Sequence, residues 1–194
     1  MTVNQVARVG NRIITAEDLI ARYYDMDQSR SSETRVLEPQ LEYLSGIALL
    51  ELEADRIGCV ISAEELQIEV DSKISGFKSS VHSKYEGGQS WEEWLAQQGM
   101  NEASFRRYIE KRVRIVLLKS FVVPYYFEFE GLPAIDEKAR FLQWRKRPHL
   151  SDGNPATQIP LPDWTFEKWA RCVAANGAYA SERRLPGLDV EPNK

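Results

Sequence analysis

The stretch from Leu41 to Leu66, LEYLSGIALLELEADRIGCVISAEEL, constrains the fold more than any other part of the chain. It places Leu41, Leu44, Ala48, Leu52 and Ile57 at steps of three, four and five residues, the spacing of a helix with one buried face. Gly58 follows directly and can take the left-handed conformation that closes a helix. Val60-Ile61 then makes a short apolar crossing. In Ser62-Ala63-Glu64-Glu65 the serine hydroxyl can accept from the Glu65 amide while the Glu65 carboxylate reaches back to the Ser62 amide, a capping box. The stretch therefore predicts a long helix, a glycine stop, a short crossing and a second, capped helix.

On its N-terminal side, Val6 to Val9 and Ile13-Ile14 read as two short extended pieces joined by a turn at Gly10-Asn11. Thr15 is placed to cap a helix from Ala16 to about Met26, with Leu19, Ile20 and Tyr23 on one face and Glu17 and Asp18 in the first turn. Asp27 to Thr34 is a polar break, and Pro39 suits the first turn of the long helix. On the C-terminal side, Leu66, Val70, Ile74, Phe77 and Val81 predict a helix running to Lys84 or Tyr85, stopped by Gly87-Gly88. Ser90-Trp91-Glu92-Glu93 is a second capping box and opens a short helix ended by Gly99. Asn101 caps the next helix, with Phe105, Ile109, Val113, Val116, Leu117 and Phe121 as its stripe and Pro124 as its end.

Beyond Pro124 the pattern changes. Tyr125 to Phe129 alternates weakly like a strand, and Gly131-Leu132-Pro133 is a break, so residues 1–130 and 131–194 are expected to be a helical domain and a C-terminal helical extension packed on it. In the extension, Ala134 to Arg147 predicts a helix presenting Ile135, Ala139, Leu142 and Trp144. Pro148 to Pro162 is turn-rich. Asp163 or Thr165 caps a last helix carrying Phe166, Trp169 and Val173, closed by Gly177, and Leu185 to Lys194 reads as a tail.

Four of these motifs, in this order, resemble the N-terminal chaperone domain of the SurA and parvulin-type foldase family and, more distantly, the peptide-binding part of trigger factor. Val6 to Leu19 is similar to the family's opening strand, turn and helix start, and Ala54 to Leu66 follows its pattern of helix, glycine and capping box. Trp91 to Gly99 and then Asn101 to Val113, with Phe105-Arg106 and Ile109, are similar to its short aromatic helix and the helix after it. The resemblance spans about Val6 to Val123. It implies a mainly α-helical bundle with a short N-terminal β element and an added C-terminal helix completing the core. It further implies non-catalytic binding of unfolded or extended polypeptide in an apolar groove with a polar rim, with no cofactor and no metal.

Many family members carry a prolyl isomerase domain after the helical part, a unit of about a hundred residues. The chain after Pro124 is too short for one and has only His149, so no isomerase activity is expected. No G-x-S-x-G, phosphate loop, dinucleotide fingerprint or H-E-x-x-H occurs. His82, His149, Cys59 and Cys172 do not make a metal-ligand pattern or a disulfide framework, and Cys59 reads as a buried thiol. Glu64-Glu65, Glu92-Glu93 and Asp136-Glu137 sit in first helical turns, where capping accounts for them.

Charge is uneven: Glu33 to Asp71 holds ten acidic residues against Arg35 and Arg56, whereas Ser104 to Lys119 holds six basic residues against Glu110. With a net charge of −4 over the whole chain, the basic helix reads as a solvated or internally paired face rather than a nucleic-acid surface. No apolar run is long enough to span a membrane, and MTVNQVARVG lacks the features of a secretory leader. A cytoplasmic location is expected if Met1 is the native start, and an exported one if a leader has been removed.

The candidate peptide-binding residues are the large aromatics in short or edge elements: Phe77, Tyr85, Trp91, Trp94, Phe105, Tyr108, Phe127 and Phe129. Within the two-tryptophan helix, one ring is expected to pack inward and Trp91 to serve as the exposed anchor. A rival reading keeps the scaffold but makes the chain a dedicated assembly or maturation factor, binding one protein partner through it and the C-terminal extension.

Overall fold

A computed structural model describes residues 4–25, 37–84, 90–133, 135–147, 165–177 and 179–183. It is mainly helical with a small sheet: β1 (Gln5–Val9), β2 (Arg12–Thr15), α1 (Ala16–Asp25), α2 (Leu37–Ile57), α3 (Ala63–Lys84), α4 (Trp91–Gln97), α5 (Glu102–Phe129), α6 (Glu137–Arg145), α7 (Phe166–Ala175) and β3 (Ser181–Arg183). Tyr85 and Gly87-Gly88, the turn-rich Pro148 to Pro162 and the tail from Leu185 lie outside the described residues.

Local sequence signals set most of the helix ends. Thr15 Oγ1 accepts from the Asp18 amide at 3.1 Å while Asp18 accepts from the Thr15 amide at 3.0 Å. Ser62 and Glu65 exchange bonds of 2.9 and 3.1 Å, and Ser90 and Glu93 do the same at 2.9 and 3.1 Å. Asn101 pairs with Ser104, and Thr165 caps α7. Gly58 takes φ +71°, left-handed as the end of α2 requires.

The sheet has the order β2-β1-β3, all antiparallel. The β1–β2 hairpin turns at Gly10, whose φ is +56°. The third strand was not legible in advance: Ser181-Glu182-Arg183 has no apolar residue, and it is a strand because β1 supplies a ladder for it, Ala7 facing Arg183 and Val9 facing Ser181.

Helix α2 runs through the centre. A helix with one buried stripe was expected, but every residue from Ser45 to Leu50 is buried, as are Gln40, Leu41, Glu53, Ala54 and Ile57, while the predicted Leu44 and Leu52 are only half-buried. A helix lined on several sides has no solvent face to keep polar. Here α1, α5, α6, α7 and β1 all contact it. At Gly46 α7 packs close, and a Cβ there would sit 3.1 Å from the Phe166 ring.

Helix α5 does not stop at Pro124. It continues to Phe129, so the Tyr125 to Phe129 strand is replaced by helix. An interior proline costs about 3 kcal/mol, but burying Val122, Val123 and Tyr125 returns about 1.5–3 kcal/mol each, which decides the outcome. The break at Gly131 stands, with φ +75°.

Two helical faces are rotated from expectation. Ile20 is exposed on α1 while Leu19 is buried. Ile135, just before α6, and Leu142 on it are exposed, and the buried pair is Phe141 and Trp144, whose rings both meet Tyr125 edge-on with centroids 5.4 Å away. That helix starts at Glu137 rather than Ala134, because Asp136 takes φ 49° and its carboxylate accepts from the Ala139 amide. Tyr125, Phe141, Trp144, Phe166, Trp169 and Val173 belong to the same apolar cluster as α2, so segments on both sides of the 130/131 boundary share a core.

Polar contacts lock α6 against the elbow between α2 and α3. Arg145 donates to the Val60 carbonyl at 2.6 Å and pairs with Glu65, and Arg56 joins Glu53 of its own helix to Glu137 at 3.0 Å. Glu53 is 2% exposed and also accepts from Tyr179 at 3.0 Å, which fixes the approach to β3. Burial alone would lower the Arg56 pKa, but hydrogen bonds and charge from Glu53 and Glu137 outweigh it and raise it. Cys59 is buried, and loss of water pushes its thiol up to about 12.

Candidate functional site

The predicted aromatics do not form one groove. Phe105 is buried in the small cluster of α3, α4 and α5. Trp91 and Trp94 are both half-buried, stacked on each other with centroids 5.2 Å apart, and each meets Phe105 edge-on. Lys78 covers Trp91 at 5.5 Å. The residue that fixes α4 is Leu95, 3% exposed, so the division into one inward tryptophan and one free tryptophan does not hold. Phe127 and Phe129 are half-buried on the main cluster, Phe129 lying beneath Arg140 and Arg147. Tyr85 falls outside the described residues. Phe77, 41% exposed, and Tyr108 remain at the surface in positions that line clefts.

Those clefts adjoin. One, of about 450 Å³, lies between β2, α1, α2 and α5 and has a floor of Ile14, Leu44, Ile47 and Ala48 with Ile13, Ile115 and Val116 on its walls. The other, of about 270 Å³, lies between α3 and α5, lined by Phe77, Ile109, Val113 and Leu117 with Glu69 and Lys73 at its edge. Arg112 and Val116 line both, so α5 forms the ridge between them. Ile13, Val116 and Phe77 are 53%, 60% and 41% exposed, and together they mark an apolar track from the hairpin across α5 to α3. Exposed aliphatic and aromatic groups in a row are costly in water and are a common sign of a contact surface.

The rim is basic. Arg12, Arg22, Lys111, Arg112 and Lys119 line the larger cleft with Asp18 and Glu51. Arg22 lies 4.1 Å above the Tyr43 ring, and Lys119 lies 4.9 Å from Tyr43 and 4.0 Å from Phe166. Arg112 lies over Tyr108 at 5.4 Å and donates to its hydroxyl. Aliphatic residues of four different elements build this cleft, so no single stretch of sequence carries its pattern. The run of basic residues from Arg106 to Lys119 is its one sign in the sequence, and Val116, expected on the buried stripe of α5, is exposed.

Among the described residues no group of three or more histidine, cysteine, aspartate or glutamate side chains is placed to hold a metal ion. No described helix is long and apolar enough to cross a membrane. Comparison of the chain with protein-family models, with curated proteins and with solved structures finds no match.

Proposed function

We propose that the chain is a SurA-like, chaperone-type module that binds extended polypeptide without catalysis, and that the bound segment lies along the track from Ile13 over Val116 to Phe77. The observation that carries this reading is the pair of adjoining clefts meeting at Val116, apolar at the floor and polar at the rim. An extended peptide advances about 3.3 Å per residue and sends alternate side chains to one side. A short segment therefore fills both clefts in succession, with the ridge of α5 between two of its side chains. The order of the sequence motifs around Gly58, Ser90 and Asn101 supports the same assignment.

The test is fluorescence anisotropy with a labelled aliphatic peptide, against the wild-type chain and Val116→Asp. Because Val116 is 60% exposed, the substitution should leave unfolding stability within about 0.5 kcal/mol while weakening the peptide at least about tenfold. Equal affinity for both proteins, or no affinity for either, would overturn the proposal. Suppression of aggregation of several unrelated clients is the result expected of a general chaperone; a dedicated maturation factor would leave them unaffected.

A further inference from the structure

The charges around the larger cleft select among peptides. The chain as a whole has a net charge of −4, yet this cleft gathers five cations against two carboxylates. Both carboxylates are committed inside the fold. Asp18 accepts from the amide and hydroxyl of Thr15 at 3.0 and 2.8 Å, and Glu51 lies 3.5 Å from Arg12, which also pairs with Asp55 at 2.8 Å. Arg22, Lys111 and Lys119, by contrast, enter no ion pair among the described residues. Arg22 and Lys119 rest on aromatic faces, which hold a cation in place without neutralising its charge. Nε of Arg22 is buried with no hydrogen-bond partner. A positive rim therefore surrounds an aliphatic floor, in a chain whose net charge is −4.

We infer that the cleft takes an extended peptide in which acidic side chains flank aliphatic ones, the carboxylates meeting Arg22, Lys111 and Lys119 and the aliphatic groups filling the floor; this rests on the polypeptide reading above. Charge complementarity of this kind adds selectivity and speeds encounter, because a like-charged peptide must bring cations against the rim. A single-stranded nucleic acid has the same sign of charge but needs open aromatic faces for its bases. Here the Tyr43 ring lies under Arg22 and Lys119 and the Tyr108 ring lies beside Arg112, while the floor offers only aliphatic groups.

The experiment uses three labelled peptides of equal length that share their aliphatic positions and carry glutamate, serine or lysine between them, together with a labelled single-stranded DNA of similar length. Anisotropy titrations with the full chain should rank glutamate first, at least about tenfold tighter than lysine, with the gap narrowing as salt is raised. Lys111→Glu combined with Arg112→Glu should shrink or reverse the ranking. Lys111→Glu alone, at an exposed position, provides the same reading if the double variant loses its helical circular dichroism. Equal affinity for the three peptides, lost in Val116→Asp, would overturn the charge preference and leave the cleft intact. Tighter binding of the DNA than of the glutamate peptide would overturn it in favour of a nucleic-acid surface. If no peptide binds at all, both the preference and the polypeptide reading fall.

Discussion

Removal of the buried carboxylate at Glu53 tests how the C-terminal part of the chain is held. Its side chain accepts from Nε and Nη2 of Arg56 at 2.8 and 2.6 Å and from the Tyr179 hydroxyl at 3.0 Å. Glu53→Ala leaves Arg56 with Glu137 at 3.0 Å and leaves Tyr179 without an acceptor for its half-buried hydroxyl. Breaking a buried ion pair by deleting one partner typically costs about 3–5 kcal/mol. The Arg56 side chain is 39% exposed and retains a second carboxylate, which shifts the cost below that range by about 1 kcal/mol, and we expect a loss of about 2–4 kcal/mol. Glu53→Gln keeps the size and one acceptor and should cost less, about 1–2 kcal/mol. With a urea slope of about 2 kcal/mol/M, these losses move the unfolding midpoint by about 1–2 M and about 0.5–1 M. Tyr179→Phe should cost about 1 kcal/mol alone and clearly less in the Glu53→Ala background, since the bond it removes is already gone. Urea unfolding followed by circular dichroism measures all four variants. A Glu53→Ala protein within about 0.5 kcal/mol of wild type, or strict additivity with Tyr179→Phe, would refute the reasoning.

Two further expectations follow from the elbow and the short aromatic helix. Burial alone would raise the Glu65 pKa, but bonds from the Ser62 amide and hydroxyl and from Arg145 outweigh it and hold the carboxyl below its ordinary 4.5. A carboxyl depressed on folding contributes stability that is present above 4.5 and lost as pH falls through its folded value. Acid titration of unfolding stability should therefore fall more steeply below that pH in wild type than in Glu65→Gln, and parallel curves would refute it. Because Trp91 and Trp94 stack on each other and both contact Phe105, Trp91→Ala and Trp94→Ala should each cost about 1–3 kcal/mol and combine non-additively. Peptide affinity should not change in either variant; an unaltered melting curve for Trp91→Ala with weakened peptide binding would restore Trp91 as an anchor.

The features legible in the sequence were those determined within a few residues. Ser62, Ser90, Asn101 and Thr165 cap helices because a short polar side chain reaches its own first turn whatever else the chain does. Gly58 and Gly177 close helices for a similarly local reason, and Phe166, Trp169 and Val173 are buried where their spacing put them. What was not legible depended on how many neighbours an element acquires. Leu49 and Leu50 fall off the stripe of α2, yet both are buried, because the helix is covered on several sides. Pro124 ends helices in most local contexts and fails to here because the core on both sides of it outweighs the lost bond. The candidate site suffered most. The large aromatics Trp91 and Phe105 stabilise the fold, whereas Ile13 of β2 and Lys111 and Val116 of α5 become one surface only when those two elements are assembled.

The strand made of Ser181 to Arg183 completes a sheet whose first two strands are Gln5–Val9 and Arg12–Thr15. During synthesis, the hairpin of β1 and β2 leaves the ribosome before β3, with the edge of β1 that pairs with Ser181 to Arg183 still bare. Contacts this distant in sequence close slowly, since the entropy of the intervening loop must be overcome before the pairing gives any return. A nascent chain would thus hold an unpaired edge of β1 until residues 181–183 have been made, a state in which chains are open to association with one another. The polar character of Ser181-Glu182-Arg183 suits the finished molecule, because β3 is an outer strand of the sheet and Ser181 and Glu182 are exposed there.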